Sequence, residues 1–446
     1  MERYDEYKDS GVEWIGEIPA GWSIVPLKSL ASFRKGLSIT KADLSDVGKP
    51  VLSYGQIHSK RHVSSGIEKQ LIRYVPESCN ALAPAAFAEE GSVIFADTSE
   101  DVEGCGNCAY VDVRDGIYAG YHTIIASFRQ IRGLQYFGYL FMTDAWRSQV
   151  RSLASGVKLY SITQKMLKTT SVCLPPFVER TAIADYLDAK TANVDAAISD
   201  CEREVELLQE YRKAVISEAV TKGLDPNVPM KDSGIEWIGK IPAHWKYSKL
   251  GLIASSTLGR MLDSEKQAGD CMAPYLSNRD VQWFRIDDSE LKEMDFPFDS
   301  RENYEIHDGD LLICEGGEVG RCAVWHGQTP NFYFQKAIHR VRFDRAVMSS
   351  DYAAYQMYQK AQVTMFREVR KGESTIGHLP GDQLNKLTFL IPPLSEQRII
   401  VAYLDEKTSE IDALIAGYQS MADKLREYRK SLISEAVTGK FKVPGV

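Results

Sequence analysis

The chain has 446 residues, 44% apolar and 26% charged side chains, and a formal net charge of −8. Those fractions belong to a soluble globular protein with room for two or three domains, and the acidic total excludes a uniformly basic DNA coat. There is no apolar run of ~18 residues and the acidic N-terminus is not a signal peptide, so neither a membrane span nor secretion is expected. Eight cysteines spread thinly through the chain suit free thiols in a reducing cytoplasm better than a disulfide framework. The charge is uneven: residues 23–174 carry a net +4, residues 175–245 a net −5 and residues 246–391 a net −3. A local basic cleft is therefore compatible with the acidic total.

Residues 1–22 form a docking segment, Lys8-Asp9-Ser10-Gly11-Val12-Glu13-Trp14-Ile15-Gly16, then Ile18-Pro19 and Trp22. The two tryptophans read as structural anchors. Residues 23–174 form a first globule of short β-like runs, Val51-Leu52-Ser53-Tyr54, Ser92-Val93-Ile94-Phe95 and His122-Thr123-Ile124-Ile125, followed by a helix expected over Tyr136–Ser152.

Pro175-Pro176 opens a central helix, 175–222, that meets no further Gly or Pro until Gly223. Leu187, Val194, Ile198, Val205, Leu208 and Val215 form a heptad stripe, with Cys201 on the same seam and Thr191 and Arg212 as polar exceptions. At ~1.5 Å per residue such a helix reads as a strut rather than as the interior of a small globule. Residues 223–245 form a linker and a second docking segment, in which Lys231-Asp232-Ser233-Gly234-Ile235-Glu236-Trp237-Ile238-Gly239 repeats the first phrase 223 residues later.

A second globule, 246–391, keeps the strand order of the first. Pro274-Tyr275-Leu276-Ser277, Gly309-Asp310-Leu311-Leu312-Ile313 and Ala337-Ile338-His339-Arg340-Val341 are β-like, and Asp351–Arg370 is helical. A distal helix, 392–440, has the stripe Leu404, Ile411, Ile415, Tyr418, Leu425 and Leu432, and a tail of residues 441–446 follows. Its sequence echoes the central helix at an offset of 217: Tyr186-Leu187-Asp188 returns as Tyr403-Leu404-Asp405, and Glu210-Tyr211-Arg212-Lys213 as Glu427-Tyr428-Arg429-Lys430. Matching stripes in one chain most simply pack on each other. The plainer alternative is that each stripe faces its own globule. The expected fold is α+β: two mixed α/β domains separated by an antiparallel two-helix coiled coil, a pseudo-two-fold internal repeat with the chain ends close together.

Several enzyme signatures are missing from the sequence: a Gly-x-x-x-x-Gly-Lys-Ser/Thr phosphate loop, an Asn/Asp-Pro-Pro-Tyr/Phe tetrapeptide and a His-Glu-x-x-His pair. Cys105-Gly106-Asn107-Cys108 lacks the second pair that a zinc site needs. Gly316-Gly317-Glu318-Val319-Gly320 lies between two β-like runs and reads as a hairpin rather than a nucleotide loop. His122 and His339 fall on apolar runs and read as core histidines.

The DNA-facing candidates in the first globule are Arg34, Lys35, Tyr54, Gln56, His58, Lys60, Arg61, Thr98, Ser99, Lys158 and Tyr160. Those in the second are Arg260, Asn278, Arg279, Gln282, Gln335, Lys336, Lys371, Ser374, Thr375 and His378. Arg, Asn and Gln can pair with base edges, while Lys, Ser and Thr hold phosphates. Each is by itself an ordinary solvated side chain. The signal is their recurrence at matching places in two divergent bodies.

With the Ser-Gly-x-Glu-Trp-Ile-Gly-x-Ile-Pro phrase, the two Pro-Pro-x-x-Glu helix starts (Pro175-Pro176 with Glu179, Pro392-Pro393 with Glu396-Gln397) and the Ile-Ser-Glu-Ala-Val-Thr endings, the whole chain resembles the specificity subunits of Type I restriction-modification systems. It departs from the pattern at Glu179-Arg180, where the family usually has Glu-Gln. The resemblance implies a non-catalytic specificity subunit whose two target recognition domains each read one half of a bipartite, asymmetric site in double-stranded DNA. It implies a helix pair that sets the spacer and docks two methyltransferase (modification) subunits, with restriction subunits added for translocation and cleavage. It implies no cofactor on this chain, and S-adenosylmethionine, ATP and magnesium on the partners, in a cytoplasmic complex that methylates adenine. The alternatives are a non-catalytic protein-binding scaffold with a duplicated coiled-coil frame and a self-contained DNA enzyme.

Overall fold

A computed structural model describes residues 2–60, 62, 64–79, 82–129, 133–156, 158–261, 269–327, 331–362 and 378–446. The chain divides into two compact units, one made of Met1–Cys201 with Ser420–Val446 and the other of Glu202–Gln419. Each long helix contributes to both: the central helix spans Phe177–Lys222 and the distal helix Leu394–Val437. Among the described residues, no helix is long and apolar enough to cross a membrane.

In the first unit the docking segment is a small hairpin, Tyr7–Asp9 against Glu17–Pro19. The globule is clipped shut where its entry strand, Ser23–Pro26, pairs antiparallel with its exit strand, Ser171–Leu174. Between them lies an antiparallel sheet in the order Cys108–Tyr110, Val93–Ala96, Thr123–Phe128, Ala31–Lys35. Val93–Ala96 is buried along its whole length, and side-chain alternation explains why that run is wholly apolar. Val93 and Phe95 enter the core shared with the long helices, whereas Ile94 and Ala96 enter a second core behind the sheet. Behind it stands a mixed sheet, Arg73–Val75, Lys49–Leu52, Ile117–Ala119, Phe87–Ala88, with a single parallel pairing of Tyr118 to Val51.

The second unit repeats this plan. Its hairpin is Met230–Asp232 with Lys240–Pro242, and its clip is Lys246–Lys249 with Thr388–Ile391. Its main sheet runs Cys322–Val324, Leu311–Cys314, Ile338–Phe343, Ala254–Leu258, the same order as in the first unit. Leu311–Cys314 splits its side chains between two cores as its counterpart does. Leu311–Cys314 and Cys322–Val324 pair antiparallel, so the Gly316–Gly320 stretch is a strand-to-strand connection, with positive φ at Gly317 and Gly320.

The two long helices meet within each unit. In the first, Ile183 and Leu187 share a core with Leu432, Ile433, Ala436 and Val437. In the second, Val215, Ile216, Ala219 and Val220 share one with Ile400 and Leu404. The start of one helix thus lies against the end of the other, which makes the pairing antiparallel. The seam positions Leu187, Val194, Val215, Leu404, Ile411 and Leu432 are buried, and Ile198, Val205, Leu208, Ile415, Tyr418 and Leu425 are half-buried. The chain ends also meet, the Lys442 amide donating to the Glu2 carbonyl at 2.8 Å.

The repeat is carried by hydrogen bonds as well as by topology. Trp22 donates its indole N–H to Glu179 Oε2 at 2.7 Å, and Trp245 donates to Glu396 Oε1 at 3.0 Å. Tyr136 donates its hydroxyl to the Val437 carbonyl, and Tyr352 to that of Val220. Tyr139 donates to Asp188, and Tyr355 to Asp405. Each acceptor pair is separated by the 217-residue offset of the sequence repeat.

Four expectations are corrected. The expected helix over Tyr136–Ser152 is two helices, Gln135–Met142 and Asp144–Leu153, broken at Thr143, which is extended and donates its hydroxyl back to the Leu140 carbonyl. Tyr54 is not a strand end; it begins a short helix, Tyr54–Ile57. The second tryptophan of each docking phrase, Trp22 and Trp245, is a fully buried anchor, whereas the first is not: Trp14 is exposed and Trp237 half-buried. His122 is not a core residue: it is exposed and precedes the strand Thr123–Phe128 with a φ of 55°. His339, in contrast, is buried and bonded to the Leu379 carbonyl. The helix expected over Asp351–Arg370 runs over Ser350–Gln362, and residues 363–370 lie outside the described residues.

Candidate nucleic-acid interface

In the first globule the ends of several strands converge on an open cleft of about 570 Å³, lined by Lys35, Asp97, Thr98, His122, Ile124, Ser161, Ile162, Thr163, Gln164 and Lys165. Backbone pairing builds it. Ile124 stands opposite Lys35 across the sheet, the Asp97 amide donates to the His122 carbonyl at 3.0 Å, and the Ile162 amide donates to the Asp97 carbonyl at 2.8 Å. Gly36 lies at the edge, where a Cβ would fall 2.1 Å from the Gly120 carbonyl oxygen, so only glycine fits. Tyr54 adds an aromatic wall, edge-on to Tyr121 at 5.5 Å and to His122 at 5.3 Å.

The same frame recurs in the second globule. The Glu315 amide donates to the Ala337 carbonyl at 2.8 Å, and the Leu379 amide donates to the Glu315 carbonyl at 2.7 Å. Gly259 replaces Gly36, and a Cβ there would lie 2.1 Å from the Gln335 carbonyl oxygen. Ser53 and Ser277 each donate their amide to the side chain three residues on, Gln56 Oε1 at 3.0 Å and Asp280 Oδ2 at 2.7 Å. These correspondences place Tyr54 with Asn278, Tyr121 with Lys336, His122 with Ala337 and Ser161 with His378. The backbone is shared while the side chains differ.

Of the first-globule candidates, Lys35, Lys60 and Lys158 are exposed. Lys35 and Thr98 line the cleft, and Tyr54 flanks it. Tyr160 pairs with the buried Ser99 in a short ladder beside it. Three others serve the fold. Arg34 donates to the Phe87 carbonyl and to Ser127, Gln56 caps Ser53, and His58 is held by the Thr98 carbonyl and Asn107. In the second globule Arg279, Lys336 and His378 are exposed. Arg260 is turned inward toward Ser300 and Phe296, Asn278 donates to the Gly316 carbonyl and Gln282 to the Arg279 carbonyl. Gln335 is half-buried. Arg61, Lys371, Ser374 and Thr375 lie outside the described residues.

The polar and aromatic residues in or beside the cleft that are not among the candidates read from sequence are Asp97, Tyr121, His122, Ser161, Thr163, Gln164 and Lys165. The Gly120-Tyr121-His122 turn ahead of an apolar strand was the available signal. No group of three or more His, Cys, Asp or Glu able to hold a metal occurs among the described residues. Cys105 and Cys108 are buried, and burial pushes the Cys108 thiol up to about 12, so the pair is kept as neutral thiols.

The family model described as Type I restriction modification DNA specificity domain matches residues 19–204 and 242–417, one match in each half. The chain belongs to this specificity family. Among similar members are the Type I restriction enzyme EcoKI specificity subunit of Escherichia coli (strain K12), 20% identical over 434 residues, covering 95% of this chain and 90% of that protein. Another is the StySPI specificity subunit of Salmonella potsdam, 21% identical over 441 residues, covering 95% of this chain and 90% of its own length. A solved chain described under complex assembly and conformational transition of the type I R-M system matches with a TM-score of 0.72 at 18% identity, covering 94% of this chain and 98% of that one. The HsdS subunit from Thermoanaerobacter tengcongensis matches with a TM-score of 0.53 at 18% identity, over 95% and 98%. These structures share the specificity-family fold. The two family matches fall on the two globules with the adjoining parts of the long helices, so the globules are the recognition domains of a DNA specificity subunit.

Proposed function

We propose that each recognition domain reads one half of a bipartite, asymmetric DNA site, and that the helix pair sets the spacer and docks two modification subunits. The observation that carries this reading is the shared backbone frame with different side chains at matched positions, Tyr54 and His122 in one domain, Asn278 and Ala337 in the other. A duplicated frame gives both readers the same approach to a duplex, and divergent side chains let each select its own bases.

Catalysis belongs to the partners in this reading. Modification subunits would carry S-adenosylmethionine and methylate adenine, restriction subunits would use ATP and magnesium, and the complex would work in the cytoplasm. The acidic chain is tolerable because partner subunits can supply basic surface around the duplex.

Retention of the complex with its modification subunits on DNA carrying the host motif tests this. Affinity should fall steeply between about 50 and 200 mM salt, as phosphate contacts require. Binding that ignores DNA while the globules capture protein would favour the scaffold reading instead.

A further inference from the structure

His122 is held in an unusual way. Its backbone is left-handed, at a φ of 55°, a region that non-glycine residues enter rarely and where strain tends to mark functional positions. Its side chain is 56% exposed on the wall of the open cleft. Nδ1 lies 3.2 Å from Asp97 Oδ1 and 3.3 Å from Thr98 Oγ1, while the Thr98 hydroxyl donates to the same Oδ1 at 2.8 Å. Tyr54 and Tyr121 meet the ring edge-on at 5.3 and 6.0 Å. Among the described residues, Nε2 has no hydrogen-bond partner.

The tautomer follows from that geometry. A carboxylate only accepts, so the proton of the neutral ring sits on Nδ1 and is donated to Asp97. Nε2 is then an acceptor with a bare lone pair. Lys35 and Lys165, on the same cleft, carry the charge suited to phosphates. In the second domain Ala337 keeps both the left-handed backbone, at a φ of 85°, and the hydrogen bond that its carbonyl accepts from the Glu315 amide. The turn is thus retained while its side chain changes, the behaviour of a position that selects.

We propose that His122 is a base-reading residue of the first recognition domain, accepting at Nε2 a hydrogen bond from an exocyclic amino group of adenine or cytosine, with Asp97 as its positioning residue. The assignment rests on the DNA-reading function proposed above. A donor-bearing base edge satisfies the free lone pair, whereas a phosphate or a carbonyl edge cannot.

The experiment uses the full chain with its modification subunits in cells, with methylation-aware sequencing over sites varied at each base pair. The half-site read by the first domain is the one that changes when residues 23–174 are exchanged. His122→Gly, which takes the left-handed backbone without strain, and His122→Asn should each lower discrimination at one base pair of that half-site by about ten- to a hundred-fold. The other half-site should not change. Asp97→Asn can donate an amide hydrogen to Nδ1 and so move the ring proton to Nε2. Preference at the same base pair should then shift toward guanine or thymine, a change that simple loosening of the loop would not give. Unfolding midpoints near wild type would accompany these results. An unchanged motif in His122→Gly, an even loss across all positions or a change in both half-sites would overturn the assignment. A wild-type complex with no bipartite motif would overturn the DNA-reading function itself.

Discussion

Arg212 on the central helix meets Asp412 on the distal helix at 3.1 Å, and their repeat counterparts, Arg429 and Asp195, meet at 2.8 Å. Arg212 was a polar exception in the heptad stripe, and its guanidinium also lies over the rings of Tyr358 and Phe284, at 5.1 and 5.6 Å. A polar residue at a seam position can fix helix register, because a slipped helix would leave its charge unpaired. Arg212→Ala should cost about 1–3 kcal/mol through lost packing and charge together. Asp412→Ala should cost less than about 1 kcal/mol, because the carboxylate is largely solvated. Denaturant unfolding of single and double variants measures both. Equal losses would mean that the arginine acts only through the ion pair.

The Trp22–Glu179 and Trp245–Glu396 bonds explain why the docking phrase and the Pro-Pro-x-x-Glu helix start recur together. Trp245→Phe keeps the ring and removes the N–H, so it should cost about 1 kcal/mol. Glu396→Ala strands Trp245 and also frees His244, which contacts Glu396 at 2.8 Å. It should therefore cost more, about 1–3 kcal/mol, as a lower unfolding midpoint would show.

Lys360 is buried, with its ammonium over Phe389 at 4.5 Å and Trp237 at 5.3 Å. Burial lowers its pKa from 10.5 to about 7. The unfolded chain therefore binds the proton more readily than the folded one between those values. Stability should rise by roughly 1.4 kcal/mol per unit as pH goes from 7 to 10, to the extent that this one group decides it. Lys360→Met should be more stable at pH 7 and should lose that rise. A pH profile of the unfolding midpoint unchanged by the substitution would contradict this.

The frame was legible in the sequence and the reading surface only partly. The 217-residue offset in the helices shows as identical tripeptides, because those residues pack on each other and on tyrosines that recur too. The side chains of the cleft were harder. Arg34, Gln56, Asn278 and Arg260 look like free polar residues, but local backbone carbonyls, caps and rings occupy them. His122 reads as part of the apolar run His122-Thr123-Ile124-Ile125, yet its left-handed backbone sets it ahead of the strand, and its carbonyl accepts from the amide of Asp97, 25 residues away. The break at Thr143 was hidden because apolar spacing continues across it.

The spacer should follow helix length. Inserting four residues at 201/202 and at 419/420, where each long helix passes from one unit to the other, leaves both Arg–Asp pairs within their own units. At about 6 Å of added rise the spacer should lengthen by about two base pairs, with both half-site sequences retained. An unchanged spacer in methylation-aware sequencing would contradict a ruler role for the helices.

The most direct measurement is an exchange of residues 23–174 for the first globule of another specificity-family member, read out by methylation-aware sequencing of host DNA. One half-site should change, while the other half-site and the spacer length stay as they were. A motif altered in both halves, or altered in neither, would contradict two independent readers on a shared frame.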